Sequence, residues 1–223
     1  MCAGAPFFFD ASDPPCPSSA GNPSSPIPAF TTSFTTSSSS PESAAVAALL
    51  SHGCSSPAVA QHGCAALVAL CATPGGQARA GAAGAVPAVV SSMEAFAEHN
   101  ADVALAGCWA LANLGTHASN EASVGSLGGV EAALAAMAAH PAGEAIQRFG
   151  SWAVLNACWK EEHTRARARA ACGGGGPGVL RAAAERFADT DAGSKAAAAL
   201  EKVGRPPVVG GAAAALLKAV RAR

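Results

Sequence analysis

The sequence predicts an all-α protein in which short helices repeat along the chain as an α-solenoid. Three observations lead to this prediction. Alanine accounts for 59 of the 223 residues, and alanine favours helices over strands. Aromatic residues make up only 5% of the chain, so the hydrophobic half consists mainly of small side chains. A pattern of residues also returns every 43 or 44 positions, which is a repeat length typical of two- or three-helix units.

Residues 1–42 differ in composition from the rest of the chain. They are rich in Ser, Thr, Pro and Gly and contain no Lys or Arg. Such a segment cannot bury enough apolar surface to offset the entropy lost on ordering, so we expect a disordered N-terminal tail. A targeting peptide is the alternative, which the lack of Arg and the presence of Asp10 and Asp13 disfavour.

One pattern centred on a glycine recurs along the rest of the chain. Gly63, Gly107 and Gly150 anchor three copies, and Gly193 marks a degenerate fourth. Residues around each glycine follow the i, i+3, i+4, i+7 spacing of a helix face and predict a core stripe, which includes His62, Ala66 and Phe149. A glycine inside a helix costs about 1 kcal/mol relative to alanine, so its recurrence predicts close approach of a neighbouring helix backbone.

A second block lies between these copies and begins at glycine-rich turns. It comprises residues 84–99, 128–140 and 176–187, and half a unit precedes the first copy at residues 43–52. We therefore expect three to four repeats over residues 43–204. Because a stack of repeats must be capped at its ends, we expect a capping helix at Ala212–Arg223 within the C-terminal segment 205–223.

Two copies resemble armadillo repeats. The motifs GCWALANL, Gly107 to Leu114, and GSWAVLNA, Gly150 to Ala157, carry this resemblance. It implies a right-handed solenoid of armadillo-like repeats whose third helices line a concave groove with Trp and Asn side chains that hold an extended peptide. The first copy, with Ala65 and Ala69, and the last, with Lys195 and Ala199, depart from the motif.

The Trp and Asn side chains of these motifs stand at i and i+4 on one helix face, turned away from the core stripe. An indole offers apolar surface and one donor, and an amide offers a donor and an acceptor that match a peptide bond. The resemblance places these residues and their flanks in the groove, and the predicted groove residues are Leu105, Trp109, Asn113, Arg148, Trp152, Asn156 and Trp159. In the alternative interpretation the Trp rings belong to the core between repeats and the Asn amides bind carbonyls.

Charge is distributed unevenly along the chain. Residues 1–158 carry a net charge of −7 and residues 159–223 a net charge of +6. Arg165, Arg167 and Arg169 are therefore the candidates for binding a polyanion. Their spacing scatters them around a helix, and no Gly-Lys-Ser/Thr follows the glycine run at 173–176, so nucleic acid and phosphate ligands are disfavoured.

The pairs His52 with Cys54 and His62 with Cys64 prompt a metal or thiol hypothesis. Cys64 and Cys108 share their register with Ser151, however, which is typical of small core residues. His99 and His140 recur at the end of a block, where a helix end exposes carbonyl groups. The sequence therefore predicts no catalytic residue, metal or cofactor.

These observations favour a non-catalytic module or scaffold that binds a protein partner, as an extended peptide or a helix. Polyanion binding through the basic C-terminal third is the alternative function. No apolar run reaches the length of a membrane span, and no secretory signal pattern begins the chain. We therefore expect an intracellular protein, cytoplasmic or nuclear, with its oligomeric state left open.

Overall fold

The computed structural model describes residues 40–204. These residues form eleven α-helices and no strand, which confirms the predicted all-α class. The predicted capping helix and all but the last three residues of the predicted tail lie outside the described residues. The helices are Pro41–His52 (α1), Pro57–Leu70 (α2), Pro74–Ala82 (α3), Ala85–Phe96 (α4), Ala101–Gly115 (α5), Ala118–Ser126 (α6), Gly129–Ala139 (α7), Glu144–Ala157 (α8), Glu162–Gly174 (α9), Gly176–Arg186 (α10) and Asp191–Gly204 (α11).

The first helix begins at Pro41, so the boundary expected after residue 42 falls inside α1. Glu42 is buried, and its carboxylate accepts hydrogen bonds from Arg79 of α3 at 2.7 and 3.2 Å. Ser40 caps α1 with its hydroxyl, which accepts a hydrogen bond from the backbone N–H of Ser43. A side-chain acceptor at this position satisfies a backbone donor that the helix leaves unpaired.

Glycine turns precede two of the helices in the second block, as the sequence predicts. Gly84 and Gly128 stand before α4 and α7 with φ values of 89° and 91°. Only glycine adopts this left-handed backbone without steric cost. The chain can therefore turn sharply at both points and start the next helix at once.

In two series of helices, each helix packs against the helix three positions further along the chain. Helices α2, α5, α8 and α11 pack in this order, and α1, α4, α7 and α10 do the same. Hydrogen bonds at a matching sequence offset join α6 to α3, and join the residue that follows α7 to the residue that follows α4. The Asn120 amide donates to Gln77 O at 2.9 Å, and His140 Nε2 lies 2.7 Å from Ala97 O, both 43 residues apart in sequence.

The anchor glycines are sites of close packing, as predicted, but the neighbour is mostly a side chain. A Cβ atom at Gly63, Gly107 or Gly150 would lie 2.4 to 2.6 Å from an atom of Leu49, Met93 or Met137 respectively. Only at Gly193 is the nearest group backbone, the carbonyl oxygen of Phe187 at 2.0 Å. The predicted backbone approach is therefore wrong for the first three glycines, because helices of the second block place a long apolar side chain there.

Among the described helices, none is by itself both long and apolar enough to cross a membrane. The bent pair formed by α6 and α7 meets that test of length and composition when its two helices are taken together, with an angle of 67° between them.

Candidate binding surface

Three aromatic rings from two neighbouring helices lie next to one another. Trp109 of α5 stacks on Phe149 of α8 with ring centroids 4.5 Å apart and planes 11° apart. Phe149 in turn lies beside Trp152, with centroids 6.3 Å apart. We call these three rings the aromatic row. Offset stacking adds about 0.5 to 1.5 kcal/mol per pair to the burial of the rings, so the row ties α5 to α8.

The two tryptophans of the aromatic row are more buried than the sequence predicts. Trp109 is 8% exposed and Trp152 is 5% exposed. Helix α5 packs against both α2 and α8, and Phe149 of α8 covers one face of the Trp109 ring. The rings are therefore buried just below the protein surface and are not displayed on it.

The indole nitrogens of the aromatic row have no hydrogen-bond partner among the described residues. Trp109 Nε1 and Trp152 Nε1 are both buried and both lack an acceptor there. Most buried polar atoms in proteins are paired, and an unpaired donor costs about 1 to 3 kcal/mol. The same cost is present at equivalent positions of two successive copies.

Asn113 and Asn156 lie four residues after the two tryptophans. Each donates to a backbone carbonyl of the helix three positions earlier in the chain. Asn113 Nδ2 donates to Val68 O of α2 at 3.3 Å, and Asn156 Nδ2 donates to Ala112 O of α5 at 3.1 Å. Asn113 is buried and Asn156 is half-buried. These bonds match the interpretation in which the amides join neighbouring helices.

Basic side chains lie over two of the three rings of the aromatic row. The Arg148 guanidinium carbon lies 5.0 Å from the centre of the Phe149 ring, and Lys195 Nζ lies 5.1 Å from the centre of the Trp152 ring. Cations at these distances are attracted to the negative face of an aromatic ring. Two long, partly exposed side chains therefore lie between the aromatic row and solvent.

One carboxylate pairs with both cations. Asp191 of α11 forms an ion pair with Arg148 Nε at 2.7 Å and accepts a hydrogen bond from Lys195 Nζ, also at 2.7 Å. Burial opposes ionisation of Asp191, but the Lys195 ammonium and the Arg148 guanidinium together hold the pKa of this carboxyl below its usual value. Asp191 is therefore charged at neutral pH.

The remaining predicted groove residues flank this site. Leu105 is half-buried one turn before Trp109 and packs against the core. Trp159 follows α8, is 41% exposed, and has Lys202 Nζ 3.5 Å from its ring centre. All seven predicted groove residues thus lie on α5 or α8 or directly after α8.

Three residues of this surface were not among the predicted groove residues. Phe149 was assigned to the core stripe, and Asp191 and Lys195 belong to the degenerate copy. The 43-residue register carries a usable signal, because Asp191 takes the position of Arg148 and Lys195 that of Trp152. Applying the register to the last copy would have identified both.

The arginines proposed for polyanion binding are engaged within the protein. Arg165 donates to Glu162 at 2.9 Å, and Arg169 donates to Val203 O at 2.7 Å and to Glu162. Arg167 binds Glu131 and the backbone carbonyl of Ser126. Together these contacts connect α9 to α7 and α11.

The cysteines that share the repeat register are core residues, as predicted. Cys64, Cys108 and Cys158 are fully buried, and this burial raises the pKa of each thiol to about 12. Such thiols are neutral and unreactive near pH 7. Within residues 40–204, no group of three or more His, Cys, Asp or Glu side chains is arranged to hold a metal ion.

Comparisons of the chain with protein-family models, with curated proteins and with solved structures gave no match.

Proposed function

We propose that residues 40–204 form a right-handed solenoid of armadillo-like repeats that binds an extended peptide without catalysing a reaction. The units are α3 to α5, α6 to α8 and α9 to α11, with α1 and α2 as a partial first unit. The motifs around Trp109 and Trp152 support this assignment, and so do the hydrogen bonds that recur at an offset of 43 or 44 residues. The handedness is taken from the resemblance.

The observation that carries the proposed function is the pair of unpaired indole N–H groups. Trp109 and Trp152 present the same unsatisfied donor on neighbouring helices. Packed helices lie about 8 to 10 Å apart, and an extended peptide rises about 3.3 Å per residue. Carbonyl groups two or three residues apart along such a peptide therefore match the spacing of the two donors.

Access to these donors requires only side-chain movement. Lys195 lies over the Trp152 ring and Arg148 over the Phe149 ring, which stacks on Trp109, and both are long side chains with several rotatable bonds. Partly exposed side chains change rotamer on fast timescales without moving the backbone. A peptide that displaces these two side chains reaches the Trp152 indole beneath Lys195 and the edge of the neighbouring rings.

Polyanion binding is less well supported than peptide binding. Each of Arg165, Arg167 and Arg169 donates hydrogen bonds to carboxylates or carbonyls of the protein itself. Neutralised and partly buried cations contribute little to the field that attracts a polyanion.

Selection of a random twelve-residue peptide library on the full-length chain tests the proposal. The affinity of the selected peptides is then measured for wild type and for a Trp109→Phe/Trp152→Phe variant. This variant keeps an aromatic ring at both positions but removes both N–H groups. The loss of two hydrogen bonds, each worth about 0.5 to 1.5 kcal/mol, is expected to weaken binding by a factor of about 5 to 150.

A matched control is Phe96→Leu, which shortens a half-buried aromatic side chain of α4, away from the aromatic row. This variant is expected to bind the selected peptides as wild type does. Unchanged affinity in the Trp double variant, with circular dichroism equal to wild type, would return both tryptophans to a purely structural role.

A further inference from the structure

The candidate binding surface differs in charge between its two ends. The positions of α2 and α5 that share a register with Arg148 and Trp152 carry no charge, and they are Gln61, Leu105, Ala65 and Trp109. On α8 and α11 the same positions hold Arg148, Asp191 and Lys195. The charged groups thus collect where α8 meets α11.

The charge at this end is mainly positive where it meets the aromatic rings. Arg148 lies over the ring of Phe149 and Lys195 over the ring of Trp152. Lys202 lies over the ring of Trp159. Asp191 is the carboxylate that pairs with the first two cations. Its side chain is 51% exposed, so this counterion lies at the rim of the surface.

We propose that the peptide bound along this surface is acidic at one end, where its carboxylate binds Arg148 and Lys195 in place of Asp191. This inference rests on the proposed function and names the chemistry of the partner. A carboxylate from the partner offers both cations the same oxygen acceptors that Asp191 supplies. Because Asp191 is already half exposed, releasing it to water costs little.

The exchange also explains how the indole of Trp152 becomes accessible. Lys195 binds Asp191 and covers Trp152 at the same time. A partner carboxylate that draws Lys195 toward the rim uncovers the ring and its N–H group. The neutral end near Leu105 then accepts uncharged residues of the same peptide.

The test uses peptides selected from the random twelve-residue library on full-length wild type. The selected sequences are expected to contain Asp or Glu at one end more often than the starting library does. For one such peptide and its Glu→Gln counterpart, affinity is measured for wild type, Lys195→Gln and Asp191→Asn. Arg181→Gln is the matched control, because Arg181 is an exposed cation on α10.

Lys195→Gln is expected to weaken binding of the acidic peptide about two- to fivefold, which is the range for a partly exposed ion pair. Its affinity for the Glu→Gln peptide is expected to equal that of wild type. Asp191→Asn is expected to tighten the acidic peptide by a similar factor, because the internal competitor is removed. A Lys195 that is only structural would affect both peptides equally. The control is expected to bind both peptides as wild type does.

The remaining outcomes separate a failure of this inference from a failure of the proposed function. Selected peptides without an acidic excess, or equal effects of Lys195→Gln on both peptides, would overturn this inference and leave the proposed function standing. Failure of wild type to select any peptide would overturn the proposed function and this inference with it.

Discussion

Trp109 and Phe149 stack nearly parallel across two neighbouring helices, with ring centroids 4.5 Å apart. The pair joins a residue of the groove motif to a residue of the core stripe in the next copy. Structural support and candidate binding chemistry therefore share one set of side chains. Because the rings also hold α5 to α8, replacing Trp109 by alanine would create a cavity and cost about 3 to 5 kcal/mol. Binding tests must keep an aromatic ring at this position.

The anchor glycines differ in the atoms that a Cβ would contact, and this difference predicts which glycine-to-alanine change destabilises the protein more. A Cβ atom at Gly107 meets the side chain of Met93, which can rotate, whereas at Gly193 it meets the carbonyl oxygen of Phe187. Gly107→Ala also gains about 1 kcal/mol of helix propensity, which offsets part of the crowding. We expect a loss of about 1 kcal/mol for Gly107→Ala and about 3 kcal/mol for Gly193→Ala in urea unfolding.

Gly178 of α10 is the control for this ranking, because a Cβ atom there would meet nothing within 4 Å. Gly178→Ala is expected to stabilise the protein by up to about 1 kcal/mol. A Gly107→Ala variant less stable than Gly193→Ala would contradict the packing described for both glycines.

The amide of Asn113 is expected to contribute to stability. Its Nδ2 donates to Val68 O in the last turn of α2, where the helix leaves carbonyls unpaired. Asn113→Ala leaves that half-buried carbonyl short of a donor, removes a buried amide, and is expected to cost about 1 to 3 kcal/mol. Asn156→Ala is expected to cost less, because Asn156 is half-buried and water can replace it. Equal losses in urea unfolding would count against this difference in burial.

Stability is expected to fall in acid through Glu42. Hydrogen bonds from Arg79 and from the backbone lower the pKa of Glu42 from 4.5 to about 2. A depressed pKa stabilises the folded state above the unfolded value, and this contribution is lost as the pH falls from about 4.5 to about 2. Thermal unfolding of wild type should therefore approach that of Glu42→Gln over this window. A constant difference in Tm between the two proteins from pH 6 to pH 2 would exclude this role.

The arginines of α9 are expected to stabilise the fold without creating a polyanion site. The triple variant Arg165→Gln/Arg167→Gln/Arg169→Gln loses contacts to α7 and α11. We expect it to be less stable by roughly 1 to 3 kcal/mol, at up to about 1 kcal/mol for each pair. Elution from a heparin column should match that of Arg181→Gln. A triple variant as stable as wild type that no longer binds heparin would favour the polyanion function instead.

Much of the helical organisation is predictable from the sequence, since period and propensity act locally. Glycines at Gly84 and Gly128, and the apolar stripes of α5 and α8, lie where the pattern predicts. The short helices α3 and α6 are harder to foresee, because their sequences PGGQARAGA and ASNEASVGS lack an apolar stripe. Packing on neighbouring helices rather than propensity accounts for them.

Burial depends on neighbours that a single repeat does not reveal. His62 and Ala66 belong to the predicted core stripe of the first copy but are exposed. Trp109 and Trp152 were expected on an open face but are buried, Trp109 stacked on Phe149 of α8 and Trp152 beneath Lys195 of α11. Lys195 comes from the copy that departs most from the motif, so the motif alone does not indicate it.

The most direct measurement of the central claim is the NMR signal of the indole N–H groups. The chain has three tryptophans, so the spectrum has three indole signals, which Trp→Phe variants assign. On addition of a library-selected peptide, we expect the Trp109 and Trp152 signals to move downfield as their donors gain acceptors. A peptide that binds while both signals stay in place would show that the indoles are not the binding groups and would contradict the proposed function.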